Sequence, residues 1–193
     1  MTRPHVSMNT RIDDAAEDLW VFGYGSLMWR PGFEYVERSP ARIVGLHRRL
    51  CVYSFVHRGT PECPGLVLGL DRGGACRGVA YRVSAEKRAA TLAYLRAREQ
   101  ATSVYVESVR PVWLAGNPER RVNAVCYVVD RRHPQYAGHL PLERQLQLVR
   151  QGCGNSGVNR EYVLEAVAAL KALGVRDREL FTLAERIDGT HAS

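Results

Sequence analysis

Strand-like patterning dominates the first two thirds of this chain and restricts its fold more than any other feature. Trp20, Val21 and Phe22 are bulky and strand-favouring, and the segment 41–55 places Ile43, Leu46, Leu50, Val52 and Phe55 at near-alternating positions. The run 66–70 is short and apolar, and alternation resumes over 77–83 after a Gly73-Gly74 turn. The segment 104–114 alternates too, with Pro111 near its end, which predicts an edge or a bulge. After a Gly116-Asn117-Pro118 turn, 122–129 is apolar on both faces, as a central strand would be. One helix interrupts the series, capped by Ser84, with Glu86 in its first turn and a body reaching Glu99. The tail is helical. Leu142, Leu146 and Val149 make one stripe, and Val163, Val167 and Leu170 make a second that stops at Gly174. A third begins at Asp177 and carries Leu180, Phe181, Ala184 and Ile187. Many strands with few crossover helices predict an α+β fold, a closed or nearly closed mixed sheet with helices outside. The polar first residues read as a flexible leader over 1–19, followed by one domain over 20–190.

The most constrained local stretch is Val21-Phe22-Gly23-Tyr24-Gly25-Ser26-Leu27. A strand that ends in two spaced glycines admits positive φ and close approach of a ligand to the backbone. Its N–H groups form an anion nest, beside the Tyr24 ring and the Ser26 hydroxyl. Taken alone, Gly-x-Gly after a strand is also an ordinary tight turn. It is not a dinucleotide fingerprint, because Met28 stands where the third glycine belongs, and no P-loop lysine follows.

At 193 residues with 46% hydrophobic content the chain suffices for one sizeable core. No apolar run approaches the ~20 residues of a membrane helix, and the start lacks the apolar core of a signal peptide. Five widely spaced cysteines without a Cys-x-x-Cys pattern predict reduced thiols in a cytoplasm, and the histidines lack metal spacing. Neither metal nor cofactor is expected. The net charge of +7 comes almost wholly from scattered arginines. A nucleic-acid binder would concentrate such charge; a solvated surface that steers anionic small molecules fits the scatter better.

Glu99 falls in helical register with Leu92 and Leu95, on the face that turns inward. A carboxylate there is costly unless paired or functional. Desolvation raises its pKa toward neutrality, which suits a proton shuttle. The plain alternative is a buried glutamate paired with Arg96 or Arg98. Cys51 beside His47 or His57 offers a weaker alternative, a thiol nucleophile, but a cysteine on an apolar strand more often packs.

The glycine turn resembles the Phe-Gly-Tyr-Gly-Ser-Leu signature of ChaC-like γ-glutamylcyclotransferases. The resemblance continues through Trp29-Arg30-Pro31-Gly32-Phe33, His57-Arg58-Gly59-Thr60-Pro61, Pro64-Gly65 and Arg77-Gly78-Val79-Ala80-Tyr81. Further on it takes in Tyr94-Leu95-Arg96-Ala97-Arg98-Glu99, His133-Pro134-Gln135-Tyr136 and Gly157-Val158-Asn159-Arg160-Glu161-Tyr162. It implies a small mixed β-barrel with flanking helices, and a cofactor-independent lyase that cyclises glutathione to pyroglutamate and cysteinylglycine. It implies Glu99 as general acid/base and Val21 through Leu27 as the substrate-binding stretch. Tyr162 matches a position that reaches substrate, or else a helix tyrosine that covers the barrel mouth. His57-Arg58-Gly59-Thr60-Pro61 reads as a loop near the site without assigned chemistry. Gln100-Ala101-Thr102-Ser103 departs from the glycine-containing stretch common in the family and alters the rim of the pocket. Two rivals follow: a cyclotransferase for other γ-glutamyl amines or γ-glutamyl-amino acids, and a non-enzymatic module binding γ-glutamyl or nucleic-acid ligands.

Overall fold

A computed structural model describes residues 17–99, 103–116 and 119–189. The leader expected over 1–19 lies outside these residues except for its last three, and Leu19 already opens strand β1 (Leu19–Gly23). The departure noted at 100–103 lies outside them too, save for Ser103, whose φ is 57°.

Strands β2 (Glu37–Ser54) and β3 (Gly65–Val83) are 18 and 19 residues long. Straight strands of that length would span about 60 Å, so the pair has to bend to enclose a small core. It does so at register shifts between Val44 and Leu46 and between Leu50 and Val52. This corrects the expected turn at Gly73-Gly74. Those glycines have φ of 101° and 65°, yet β3 runs on through them, opposite Gly45 at 83°. Local sequence does not separate the two outcomes, because a turn and a bulge both need left-handed glycine.

Strands β4 (Tyr105–Leu114) and β5 (Arg120–Val129) form the second hairpin. The five strands close into a barrel in the order β1-β3-β2-β4-β5. The β2–β4 ladder has only three pairs and stops at Val112, next to Pro111, as a residue without an N–H dictates. β5 meets β1 in parallel through Val21↔Val125 and touches β3 at Leu70↔Val128.

Helix α1 (Ala85–Glu99) has the expected bounds but a different cap. The Ala85 N–H donates to Asp18 Oδ1 at 3.0 Å, so the residue before β1 closes the first turn. Helices α2 (Leu142–Gln151), α3 (Asn159–Ala172) and α4 (Arg178–Ile187) bury Leu146, Val149, Val163, Val167, Leu170 and Leu180 against the barrel. Gly174 ends α3 with φ of 64°, and Asp177 caps α4 by accepting from the Leu180 N–H at 3.2 Å. Between α2 and α3 lies a small hairpin of β6 (Cys153–Gly154) and β7 (Gly157–Val158). No helix of the described residues is long and apolar enough to cross a membrane.

Candidate active site

A cavity of about 380 Å³ opens where the tip of β1, the end of α1, the end of β2 and the first turn of α3 converge. Its first wall is the glycine turn. After Gly23 the chain enters a 3-10 turn (Ser26–Met28) whose carbonyls are all committed to the protein. Arg48 donates to Tyr24 O at 3.0 Å, the Met28 N–H to Gly25 O at 2.9 Å and the Arg30 N–H to Ser26 O at 2.8 Å. The Tyr81 hydroxyl donates to Leu27 O at 2.8 Å. Neither glycine adopts positive φ, which corrects one reason given for them. Close approach is the reason that holds. A Cβ on Gly23 would lie 2.9 Å from Leu27 Cβ, and one on Gly25 3.4 Å from the Tyr162 hydroxyl.

Tyr24, Gly25, Ser26 and Leu27 line the cavity, whereas Val21, Phe22 and Gly23 do not. Val21 and Phe22 are fully buried in the core, and Gly23 sits in the ladder opposite Val79. Strand alternation cannot by itself separate residues that hold the tip in place from those the tip presents.

Glu99 lines the same cavity at the last residue of α1. Leu95 and Leu92, one and two turns back, are buried, so the inward register is as the periodicity predicts. The Glu99 side chain is 16% exposed. Burial raises its pKa above the ordinary carboxylate range, and the Arg98 guanidinium opposes part of that rise. Glu99 is also paired as the plain alternative expects, since Arg98 Nε stands 3.2 Å from Glu99 Oε1.

Arg98 is the residue the sequence reading undervalued. Besides Glu99, it donates to Ser26 Oγ at 2.8 Å, Arg30 O at 2.7 Å and the Tyr94 hydroxyl at 2.9 Å. One side chain thus ties the glycine turn to the carboxylate. The signal was available: an arginine adjacent to Glu99 can reach the turn only because α1 ends there.

Four tyrosines complete this wall. Tyr24, Tyr105, Tyr127 and Tyr162 line the cavity, and burial and the charge of Glu99 together raise the pKa of each. Three donate their hydroxyl protons, to Tyr127 O, Leu68 O and Glu107 Oε2 respectively. Tyr162 accepts from the Leu68 N–H at 3.1 Å, so its own proton is free to face the cavity.

A second wall, which meets the first where Arg58 lies over the Tyr162 ring, is the loop after β2, including His57 and Arg58. Four glycines clasp its backbone. A Cβ on Gly65 or Gly152 would lie 2.1 or 2.5 Å from Arg58 O; on Gly59, 2.5 Å from Ser54 O; on Gly154, 2.4 Å from Val56 O. The β6–β7 hairpin straps the loop from outside. Asn155 and Ser156 donate N–H bonds to Val56 O and His57 O at 2.8 and 2.9 Å. The motif was visible in sequence, but the clasp was not, because its glycines come from separate segments.

The thiol alternative has no geometry behind it. Cys51 is fully buried, and burial pushes its thiol up to about 12. The thiolate that a nucleophile requires is therefore absent near neutral pH.

The fold and site together define a class: a small closed β-barrel with a desolvated carboxylate, at the end of a helix, tied through an arginine to a glycine turn. The sequence model of the ChaC-like protein family matches residues 19–190. The chain is 37% identical over 161 residues to the glutathione-specific γ-glutamylcyclotransferase of Escherichia coli K12, covering 82% of this chain and 68% of that one. It is 32% identical over 181 residues to the human glutathione-specific γ-glutamylcyclotransferase 1, covering 92% and 82%. The fold matches that of a yeast γ-glutamylcyclotransferase specific to glutathione with a TM-score of 0.83 and 24% identity, over 90% of this chain and 96% of that one. This chain belongs to the ChaC-like family.

Proposed function

We propose that the protein is a glutathione-specific γ-glutamylcyclotransferase, a lyase that releases pyroglutamate and cysteinylglycine from glutathione. The observation that carries this reading is the Glu99–Arg98–Ser26 linkage, which holds a proton-accepting carboxylate beside a backbone turn able to bind a carboxylate. The α-ammonium of the γ-glutamyl group gives a proton to Glu99. The amine then attacks the γ-carbonyl, the ring C–N bond forms, and the bond to the departing nitrogen breaks. Glu99 returns its proton to that nitrogen, and the second proton that the ring nitrogen sheds on becoming a lactam passes to the departing amine, which leaves as an ammonium. Water takes no part, and atoms balance within one substrate molecule. A raised pKa makes Glu99 a stronger base than an ordinary carboxylate.

The turn's acceptors are committed to the protein, so the donors assigned to the substrate α-carboxylate are the N–H groups of Gly25, Ser26 and Leu27. Tyr162, with its hydroxyl proton free, is assigned to the developing oxyanion. Holding amine and carbonyl within the cavity supplies effective molarity of roughly 10⁵ M or more.

The reading names a small-molecule substrate and no nucleic acid. Much of the positive charge is taken up in ion pairs, such as Arg82 with Asp18 and Glu37, and Arg160 with Asp188. Five free thiols support a cytoplasmic setting. The test is purified protein with glutathione or γ-glutamyl-alanine, following pyroglutamate by mass spectrometry. Turnover of glutathione alone is expected. Preference for γ-glutamyl-alanine would move the protein to the sibling activity, and no turnover of either would favour a binding module.

A further inference from the structure

Arg58 has no chemistry in the mechanism above, yet its backbone and side chain are both held in place. Its N–H donates to Ser54 Oγ at 2.9 Å, and its carbonyl is boxed in by Gly65 and Gly152. The side chain is 7% exposed and lines the cavity. A guanidinium carries five N–H donors. One donates to Val158 O at 3.0 Å. Glu165 Oε2 is 3.9 Å from Nη2, beyond hydrogen-bond reach, and Glu165 already accepts from Trp29 Nε1 at 3.0 Å and Arg30 at 2.6 Å. The remaining contact is the face of Tyr162, 5.5 Å away. Glu165 meets one side of the guanidinium at the limit of ion-pair range, and the donors left at the cavity wall can meet a second anion.

The charge balance specifies that anion. Arg30, Arg58, Arg98 and Glu99 line the cavity, and Glu165 stands behind Arg30. Three guanidinium groups against two carboxylates leave one positive charge. The γ-glutamyl head is a zwitterion with no net charge, so one further carboxylate on the substrate completes the balance. The α end of the substrate must lie at Glu99, where its amine gives up a proton. Arg58 stands on the clasp, a different wall.

We propose that Arg58 receives the C-terminal carboxylate of the departing peptide and so selects γ-glutamyl peptides that end in a free carboxylate. This assignment rests on the cyclotransferase reading and deepens it, because it gives the origin of selectivity against neutral γ-glutamyl amines.

The test compares kcat/KM for glutathione and for its C-terminal amide, which differ in one charge far from the reacting bond. The native protein is expected to favour glutathione about 10- to 100-fold, the strength of a charge-assisted hydrogen bond. Arg58→Gln should close that gap, chiefly through a higher KM for glutathione, and Arg58→Lys should restore part of it. Equal use of both substrates by the native protein would overturn the assignment even if no Arg58 variant folds. An Arg58→Gln variant that slows both substrates equally would also overturn it. Absence of pyroglutamate from both substrates would instead overturn the cyclotransferase reading, and this assignment with it.

Discussion

The two walls of the cavity are built in opposite ways. The wall of Glu99 and the glycine turn comes from two short motifs, joined by the side chain of Arg98. The wall of Arg58 is joined by backbone: strand ends, a strap hairpin and glycines from separate segments meet at contacts that admit no side chain. On the function proposed above, the first wall carries a group that changes protonation state and the second holds a fixed charge. Change on the first wall should therefore strike chemistry, and change on the second should strike folding.

The largest effect tests the first wall. Glu99→Gln is nearly isosteric but cannot carry a proton, so turnover should fall at least 10²–10⁴-fold, read as pyroglutamate formed from glutathione. The same variant sharpens the contrast through stability. Burial raises the folded-state pKa of Glu99 above its unfolded value, so the native state holds the proton more tightly. Native stability from this group is thus greatest at acid pH and falls as pH rises through that window. Glu99→Gln lacks this penalty. Its melting temperature should exceed the native value at neutral pH, and the difference should shrink as pH falls through the raised pKa of Glu99 to the ordinary carboxylate value. A variant that melts lower at neutral pH would show that Glu99 is chiefly a structural partner of Arg98.

The next effect sets one glycine against another. Gly65→Ala would drive a Cβ to 2.1 Å from Arg58 O, an overpacking cost of about 3 kcal/mol and a loss of about 6–12 °C in melting temperature. Gly25→Ala meets nothing closer than the Tyr162 hydroxyl, at 3.4 Å, with Leu68 at ordinary contact distance. It should leave melting within about 2 °C and cut kcat/KM about 10-fold or more, because the methyl group intrudes where the α-carboxylate binds. If Gly25→Ala proves the less stable of the two, the division of labour between the walls is wrong.

The smallest effect concerns the thiols. Replacing all five cysteines with alanine should keep turnover within about 2-fold. The cost should appear in melting instead, at the fully buried Cys51 and Cys126. A folded cysteine-free protein without activity would restore the thiol mechanism.

The same contrast explains what was legible in the sequence. Glu99 could be placed because helical period and chain-local motifs carry the information, and the barrel could be placed because alternation marks strands wherever they pair. The clasp could not, because nothing in Gly65, Gly152 or Gly154 says which carbonyl each must face. The Gly73-Gly74 bulge was read as a turn for a related reason, since only the partner strand decides whether left-handed glycine bends a ladder or ends it. Val21 and Phe22 were assigned to the substrate because a motif records which residues recur together, without separating contact from support.

The barrel's closure has one more consequence. β2 and β3 pair along nearly their whole lengths, but β5 meets β1 through the single parallel pair Val21↔Val125. Across that seam the Tyr24 hydroxyl donates to Tyr127 O at 2.9 Å, a stitch from the tip of one strand to the backbone of the other. Local opening follows the line of fewest bonds, so amide hydrogens of β1 and β5 that face the seam should exchange with solvent ahead of those in the β2–β3 ladder. Opening is expected along the edge that carries the glycine turn, with Tyr24, which lines the cavity, as the latch on that motion.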